Sequence, residues 1–549
     1  MASSQASAAQ QASAAPPTGR LGSVFYISVG LVAAFVLWGV LSTENVSTVS
    51  TAALNWVTET LGWAYLVISL ALLAFLVFLA CSRYGKIRLG SDDSHPEFKT
   101  RSWIAMILSA VMGIGLISYG VAEPVSHFAA PPHGLAEPAT ADAAVVAMQY
   151  SFFDWGLHAW AVFAVFGLAI GYSTHRKGRR GLVSPMFAPL LGDRVNGPIG
   201  KAIDVLAIVA TLFGTTTSLG LGAMQINNGL NSLYDVPTST GVQVGIIALV
   251  TVLFTASAVT GVSKGIRFLS ETAMGLAVLL FVFMIVAGPT VYLINLFTQS
   301  LGLYINDFLA MSLRTPANGD LVFMQWWTYF MLSWWISWGA FVGVFLARIS
   351  FGRTIREFIV GVLVIPSIVF FAWFTVFGGT GMHLDLFESG TIAQVTSEDV
   401  NAAFFAVLDA FPFATVTSLM AIVLVVLFFV SGADANTYVL SMLSSDGALR
   451  PRTPVLVLWG ILTGAVAVVL LLAGGLSALQ TAVIVSSAPF LVIIAGLGVS
   501  FWKELRADVG PPRVSVEERH DLPEDLIPEP ITVISHPHDE HSLISSDRR

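Results

Sequence analysis

The chain has 549 residues, 55% hydrophobic and 11% charged, with a formal net charge of −8 and a mean hydropathy of +0.78. That balance excludes a soluble domain with one core and describes an all-α polytopic membrane protein. The single cysteine, Cys81, excludes an internal disulfide and argues against structural zinc.

Residues 1–20 are Ala/Ser/Gln-rich and lack the basic-then-apolar order of a cleaved signal, so a disordered cytoplasmic terminus is expected. Twelve apolar runs follow, centred near Val32, Leu72, Met112, Val162, Thr211, Val250, Leu280, Ile336, Val369, Val426, Leu462 and Leu491. Together they define a membrane domain over residues 21–503. Of 26 Lys and Arg, only Arg314 lies in a loop on the side opposite the rest. The positive-inside rule then predicts both termini in the cytoplasm of a multi-pass cell-membrane protein.

Spans one and two carry no break signal and read as peripheral. Span three contains Met112-Gly-Ile-Gly-Leu116 and ends at Glu123-Pro124. Two glycines at i,i+2 make a helix easy to unwind and bare its backbone to a ligand; close helix packing by small residues is the other reading. Span four opens with Asp154, Trp155, His158, Trp160 and Phe163. Asp154 and His158 are i,i+4, placed to pair, and Trp160 and Phe163 share a face. In span five, Thr211 and Thr215 offer hydroxyls either to i−4 carbonyls or to a hard cation.

A surface helix is expected over about 301–323. Span eight carries Ser333-Trp-Trp-Ile-Ser-Trp-Gly-Ala-Phe341. Trp334, Trp335 and Trp338 lie too deep for an interfacial belt, and Gly339 with Ser337 predicts a loosened helix there. Indole faces suit a cation that has no hydrogens to donate; bulky packing is the competing explanation. Span ten carries Ser431-Gly-Ala-Asp434, with Asp434 either a buried charge or a hydrogen-bond anchor. The tail from Ala507 has ten acidic and four basic residues, and residues 504–549 read as an acidic disordered cytoplasmic tail.

Break signals in span three and hydroxyl-rich span five recur in spans eight and ten. An offset of five reverses orientation, as in an inverted repeat with halves at about 103–298 and 325–503 and the substrate between them.

These motifs resemble the betaine/carnitine/choline transporter family over about 22–503. The resemblance rests on 112–116 with Glu123-Pro124, on Trp155/His158/Trp160, and on Thr211-x-Phe-Gly-Thr215. It rests further on Ser333–Trp338, Phe345-Leu-Ala-Arg-Ile-Ser350 and Ser431–Asp434. It implies twelve transmembrane helices, a leucine-transporter-like five-plus-five inverted repeat with two extra N-terminal helices, and a homotrimer. It places an aromatic box at Trp155, Trp160, Phe163 and Trp335, with Trp334 and Trp338 along the path. A substrate carboxylate would meet the backbone at Gly113, Ile114 and Gly115. One Na⁺ would lie at Ser109, Met112, Phe428, Ser431 and Gly432, and a second at Thr211, Thr215 and Phe341. The chain departs from the sodium-coupled betaine pattern at Phe163, Gly432, Leu332 and Asp154.

The implied function is secondary import of a quaternary-ammonium osmoprotectant, glycine betaine first, by Na⁺ symport without a further cofactor. Choline, carnitine or ectoine, proton coupling or exchange, and a non-concentrative channel or sensor stay open. No nucleotide loop, metal constellation or nucleophile–base pair points to an enzyme.

Overall fold

The computed structural model describes residues 21–508 except Met112, Gly261 and Val262; the side chains of residues 109–111, 263–268 and 318 also lie outside the description. The terminal segments 1–20 and 509–549, and with them most of the expected acidic tail, are outside it too. Of the described residues, 21–503 belong to one compact unit.

Apart from helices of one turn or so, the chain runs α1 Ser23–Leu41, α2 Thr43–Cys81, α3 Thr100–Val111, α4 Ile114–Ala129, α5 Ala141–Trp155 and α6 Leu157–Gly171. It continues α7 Pro198–Tyr234, α8 Thr240–Thr260, α9 Ser263–Ala287, α10 Thr290–Ser312 and α11 Phe330–Ile349. Then come α12 Ile355–Phe387, α13 Ile392–Glu398, α14 Ala403–Asp409, α15 Ala414–Ser444 and α16 Thr453–Asp508. Among the described residues the only β pairing is an isolated bridge between Arg88 and Thr354.

Ten helical segments are long and apolar enough to cross a membrane. The third apolar run is not among them, because Gly113, in extended conformation, divides it into α3 and α4. The last is 56 residues long and is broken at Gly474 and Gly475, the latter at φ 61°, ψ −133°, which only glycine adopts readily.

Where a helix is apolar all round, position in the bundle decides what its side chains meet. The best membrane window of α1 is 22% buried and that of α8 is 17%; Leu31, Leu37, Leu249 and Val252 point outward, as lipid-facing side chains do. The window over Ala141–Arg176 is 94% buried, so α5 and α6 form the centre. There α11 packs along α6, α15 along α7, and α12 against α4.

Two expectations need correction. Helix α11 is continuous through Ser337 and Gly339, and the loosened turn lies earlier, as one wide π turn at Gln325–Tyr329. Gly339 instead permits close packing: a Cβ there would lie 2.4 Å from the Phe166 ring of α6. The surface segment expected over 301–323 is the end of α10 followed by a turn at Pro316–Asn318 and a one-turn helix at Leu321–Met324.

The Arg-rich loops meet at one end of the bundle. Arg88 donates to Gly352 O (2.9 Å), Arg176 to Gly90 O (2.9 Å), and Arg356 to Ala80 O (2.6 Å). Arg353 donates to Phe98 O (2.9 Å) and lies 4.1 Å from the Trp103 ring centroid, while itself only 3% exposed. Trp103 in turn donates to Ser350 (2.9 Å). This ties the loop before α3 to the α11–α12 connector. Arg353→Ala removes the cation–π contact and a charge-assisted hydrogen bond, together about 2 kcal/mol. The expected result is a lower melting temperature in detergent, with Arg353→Lys between; an unchanged melting temperature would show that the loops do not need this clamp.

Candidate substrate and ion site

The site begins with the helix break. With Gly113 extended, α4 starts at Ile114, and Leu116 N–H closes the first turn on Gly113 O (3.1 Å). Gly115 then lies directly against two indoles. A Cβ on it would be 2.7 Å from a Trp155 ring carbon and 3.2 Å from one of Trp334. Ile114 reaches the other way, toward Gly222 of α7 and Phe429 of α15.

A second break falls at Gly156 (φ −99°, ψ −135°) between α5 and α6. It leaves Trp155 ending one helix and Trp160 in the first turn of the next. The Trp335 N–H donates to Asp154 O just before this break (2.8 Å). The rings then meet as a cluster. Trp155 and Trp335 are 4.9 Å apart edge-on, Phe163 and Trp335 5.9 Å, and Trp160 and Phe163 5.7 Å. Trp334 stacks on Trp335 at 5.6 Å and donates to Gly214 O (3.3 Å). Trp338 lies further along α11, against Gly214 and 5.4 Å from Phe341. Trp155, Trp160, Phe163, Trp334 and Trp335 are all buried, and Trp338 is half-buried.

Four further side chains join the cluster, three of them from outside the motifs named above and the fourth, Glu123, from the Glu123-Pro124 pair. Phe370 of α12 stacks on Trp155 (5.7 Å) and meets Trp160 edge-on (5.6 Å), and Phe374 lies 4.8 Å from Trp155. Tyr119 of α4 touches Trp155 (6.1 Å) and Trp334 (6.0 Å). Glu123, 0% exposed, accepts the Trp155 N–H (2.7 Å). Phe370 and Phe374 are i,i+4 on one face of α12, yet in that apolar run the same spacing would serve a lipid face. Tyr119 and Glu123, i,i+4 within α4, also share a face.

Asp154 and His158 do not pair. The break at Gly156 removes the i,i+4 geometry, and His158 Nε2 instead lies 3.0 Å from Ser312 Oγ. Asp154 turns toward α4: its carboxylate, that of Glu123 and the His127 ring have ligand atoms within 4.8 Å of one another. Asp434 has a structural partner, since Ser257 of α8 donates to it (2.5 Å).

Of the first Na⁺ set, Met112 and the Ser109 side chain lie outside the described residues. Phe428, Ser431 and Gly432 share α15, which also touches α4. Ser431 donates to Leu427 O (2.8 Å), and no atom of the described residues lies within 4 Å of where a Cβ on Gly432 would be. Of the second set, Thr215 donates to Thr211 O (2.8 Å), whereas the buried Thr211 hydroxyl has no partner among the described residues; Phe341 is buried. A donating hydroxyl keeps its lone pairs, and a cation uses those. The oxygens present therefore suit a hard cation, Thr211 best of all.

Outside the cluster lies a cavity of about 600 Å³ lined by Ser126, His133, Asp320, Phe323, Trp326 and Trp327. Burial pushes the His133 imidazole below its usual range, Arg314 adds to this, and the hydrogen-bonded Asp320 opposes it.

Interrupted and broken helices around a buried aromatic cluster, inside a bundle of apolar helices, suit a membrane transporter. The family model "betaine/carnitine/choline family transporter" matches residues 23–510, so the chain belongs to the betaine/carnitine/choline transporter family. The chain is 47% identical over 489 residues to the glycine betaine transporter OpuD of Bacillus subtilis, covering 88% of this chain and 94% of that protein. It is 43% identical to a probable glycine betaine transporter of Desulfitobacterium hafniense, covering 88% and 98%. It is 41% identical to the ectoine/hydroxyectoine transporter of Virgibacillus pantothenticus, covering 88% and 96%.

Gly115→Ala should force the Trp155 and Trp334 rings apart. The expected outcome is folded protein with substrate affinity down roughly tenfold, about 1.4 kcal/mol. Normal binding calorimetry on folded Gly115→Ala would mean that the wall does not depend on this contact.

Proposed function

We propose that the protein imports a quaternary-ammonium compatible solute, glycine betaine first, in symport with Na⁺. The observation that carries this is the enclosure of Trp155, Trp160, Phe163 and Trp335 beside the opened backbone at Gly113–Gly115. A trimethylammonium group has no N–H to donate and prefers several indole faces, each contributing ~0.5–2 kcal/mol once water is excluded. The N–H groups of Ile114 and Gly115, at the start of α4, suit a carboxylate. Two relatives named for glycine betaine support the substrate class, and one named for ectoine makes that the alternative.

The proposal extends to architecture. Twelve passes result when α3 and α4 together count as one span and α16 as two, split at its glycine break. An inverted repeat then relates 103–298 to 325–503, although only the first half carries the Gly-broken span at its start. Both termini face the cytoplasm, the Arg-rich end being the inner one, and the assembly is a homotrimer.

Bound Na⁺ would supply a fixed positive charge that organises the oxygens around α7, α11 and α15. Thr211, Thr215 and Ser431 contribute hydroxyls, with Ser109, Met112, Phe428, Gly432 and Phe341 completing the two sets. Ser431→Ala should raise the Na⁺ concentration needed for half-maximal betaine uptake in proteoliposomes. Uptake that ignores Na⁺ in the unmodified protein would rule out Na⁺ coupling.

The box itself is tested by Trp335→Leu, which keeps bulk but removes the ring quadrupole. Folded protein should bind betaine roughly tenfold more weakly, about 1.4 kcal/mol, with Trp335→Phe recovering part of the loss. Equal affinity by tryptophan fluorescence in well-folded Trp335→Leu would make the cluster scaffold.

A further inference from the structure

Behind the substrate box, on the N–H edge of Trp155, stand three ionisable side chains that the transport reading does not use. Glu123 and His127 come from successive turns of α4 and Asp154 from the last turn of α5. They are 0%, 1% and 2% exposed, and their ligand atoms lie within 4.8 Å of one another. Glu123 accepts the Trp155 N–H through one oxygen; among the described residues its other oxygen, both oxygens of Asp154 and both nitrogens of His127 have no hydrogen-bond partner within ordinary reach, while the two carboxyl groups stand close enough to share a hydrogen if one is present. Three of these five buried atoms are carboxylate oxygens, which only accept, and a neutral imidazole brings a single N–H, so the group is costly unless a further proton sits among them.

Among the described residues the surroundings supply no counter-charge: α10, packed along α5, brings Asp307, which accepts from Gln149, and Tyr304, which meets Phe152, and α15 brings Asp434, which accepts from Ser257. The single ionic contact of either carboxylate among the described residues is His127 Nε2 to Glu123 Oε1, at 3.8 Å. On α4 and α5 the other titratable neighbours are Tyr119 and Tyr150. From α12 come only Phe370 and Phe374; its Arg356 binds Ala80 O, Glu357 caps its N-terminus, Asp385 caps α13, and His383 faces Tyr292 and Glu388. Glu398 of α13 bonds Gln394, and Asp409 of α14 accepts from Ser232. In α11 the one base, Arg348, pairs with Glu97; in α6, His158 bonds Ser312. Arg314 and His133 lie beyond, beside Tyr150 and the outer cavity. Two carboxylates so placed cannot both stay ionised at low cost in a membrane interior.

We propose that Glu123, Asp154 and His127 form a proton-binding site that shares Trp155 with the substrate box, so that protonation and substrate binding oppose each other. One proton bridges the carboxylates or rests on one of them. His127 is the entry step. Its ring packs on Trp327 (4.6 Å) and Phe323 (5.3 Å), and both of those line the cavity that holds His133 and Asp320. The coupling is electrostatic and direct. A fixed positive charge on the face of Trp155 favours the ionised pair at its edge, so substrate binding releases a proton. By reciprocity, acid weakens substrate affinity, by up to tenfold per pH unit for one proton. The opposition between proton and substrate rests on the box reading above; the proton site itself does not.

Infrared pH titration of the purified full-length protein, without substrate, tests the site. A protonated-carboxyl C=O band is expected at neutral pH, lost in both Asp154→Asn and Glu123→Gln, either of which suffices if the other fails to fold. A spectrum without such a variant-sensitive band at any pH overturns the site. Betaine affinity by tryptophan fluorescence tests the opposition: it should weaken toward acid pH in the unmodified protein and stay flat in Asp154→Asn, which keeps the backbone carbonyl that Trp335 uses. Binding that is pH-independent in both overturns the opposition. Absence of betaine binding at every pH, with the infrared band present, overturns the box and leaves the proton site standing.

Discussion

Backbone amides and carbonyls at membrane depth must be met by protein, because lipid offers them nothing. The chain breaks its helices at Gly113 and Gly156, so two sets of backbone groups lose their helical partners where water is scarce. Tryptophan edges help to meet the need. Trp335 donates to Asp154 O beside one break, and Trp373 to Leu116 O (2.9 Å) beside the other. Trp334 donates to Gly214 O on the neighbouring α7. An indole has one N–H and two π faces. Tying its N–H to the backbone fixes the ring and leaves a face for other work. The same residues that make the breaks tolerable therefore build the wall.

That wall is held by close approach as well as by hydrogen bonds. Gly339 and Gly343 bring α11 against Phe166 of α6, and Gly115 brings α4 against Trp155 and Trp334. In a bilayer, helices gain little from hydrophobic exclusion, since lipid tails are as apolar as leucine. Association then depends on van der Waals contact, and small residues allow more of it. The glycines at these crossings are packing devices, and at 339 that role displaces the flexibility that the bare sequence suggests.

Much of this was legible beforehand for a physical reason. Apolar runs and one-sided Lys/Arg placement are imposed on each segment separately by the membrane, so they can be read one segment at a time. The break at Gly113 was legible because the Gly-Ile-Gly spacing is local. The continuity of α11 at Gly339 was not, because whether a glycine bends a helix or seats a neighbour depends on Phe166, 173 positions earlier in the chain. The pairing of Asp154 with His158 failed for a related reason: i,i+4 geometry assumes an unbroken helix, and Gly156 breaks it. Phe370 and Phe374 were hidden because an inward aromatic and a lipid-facing one look alike in an apolar run. Glu123 was visible, but nothing local indicated that it would accept from Trp155.

The chemistry of the centre follows from which charges the bundle admits. Its Arg residues are held at the loops, many of them bonded to carbonyls at one end, while Glu123 and Asp154 are enclosed beside the aromatic cluster. Fields act over longer distances where water is excluded. An interior with two carboxyl groups, ring faces, the imidazole of His127 and, among the described residues, no Lys or Arg beside them is therefore negative on balance and disfavours an anionic solute. A small ammonium ion would pay heavily to lose its hydration there without oxygen ligands on every side. A methylated ammonium keeps its charge but holds water weakly, so its desolvation costs less while the attraction remains. Under the proposed function, selection for such a cation rests on two features together: where the acids are buried, and how the indole edges are tied so that their faces are free.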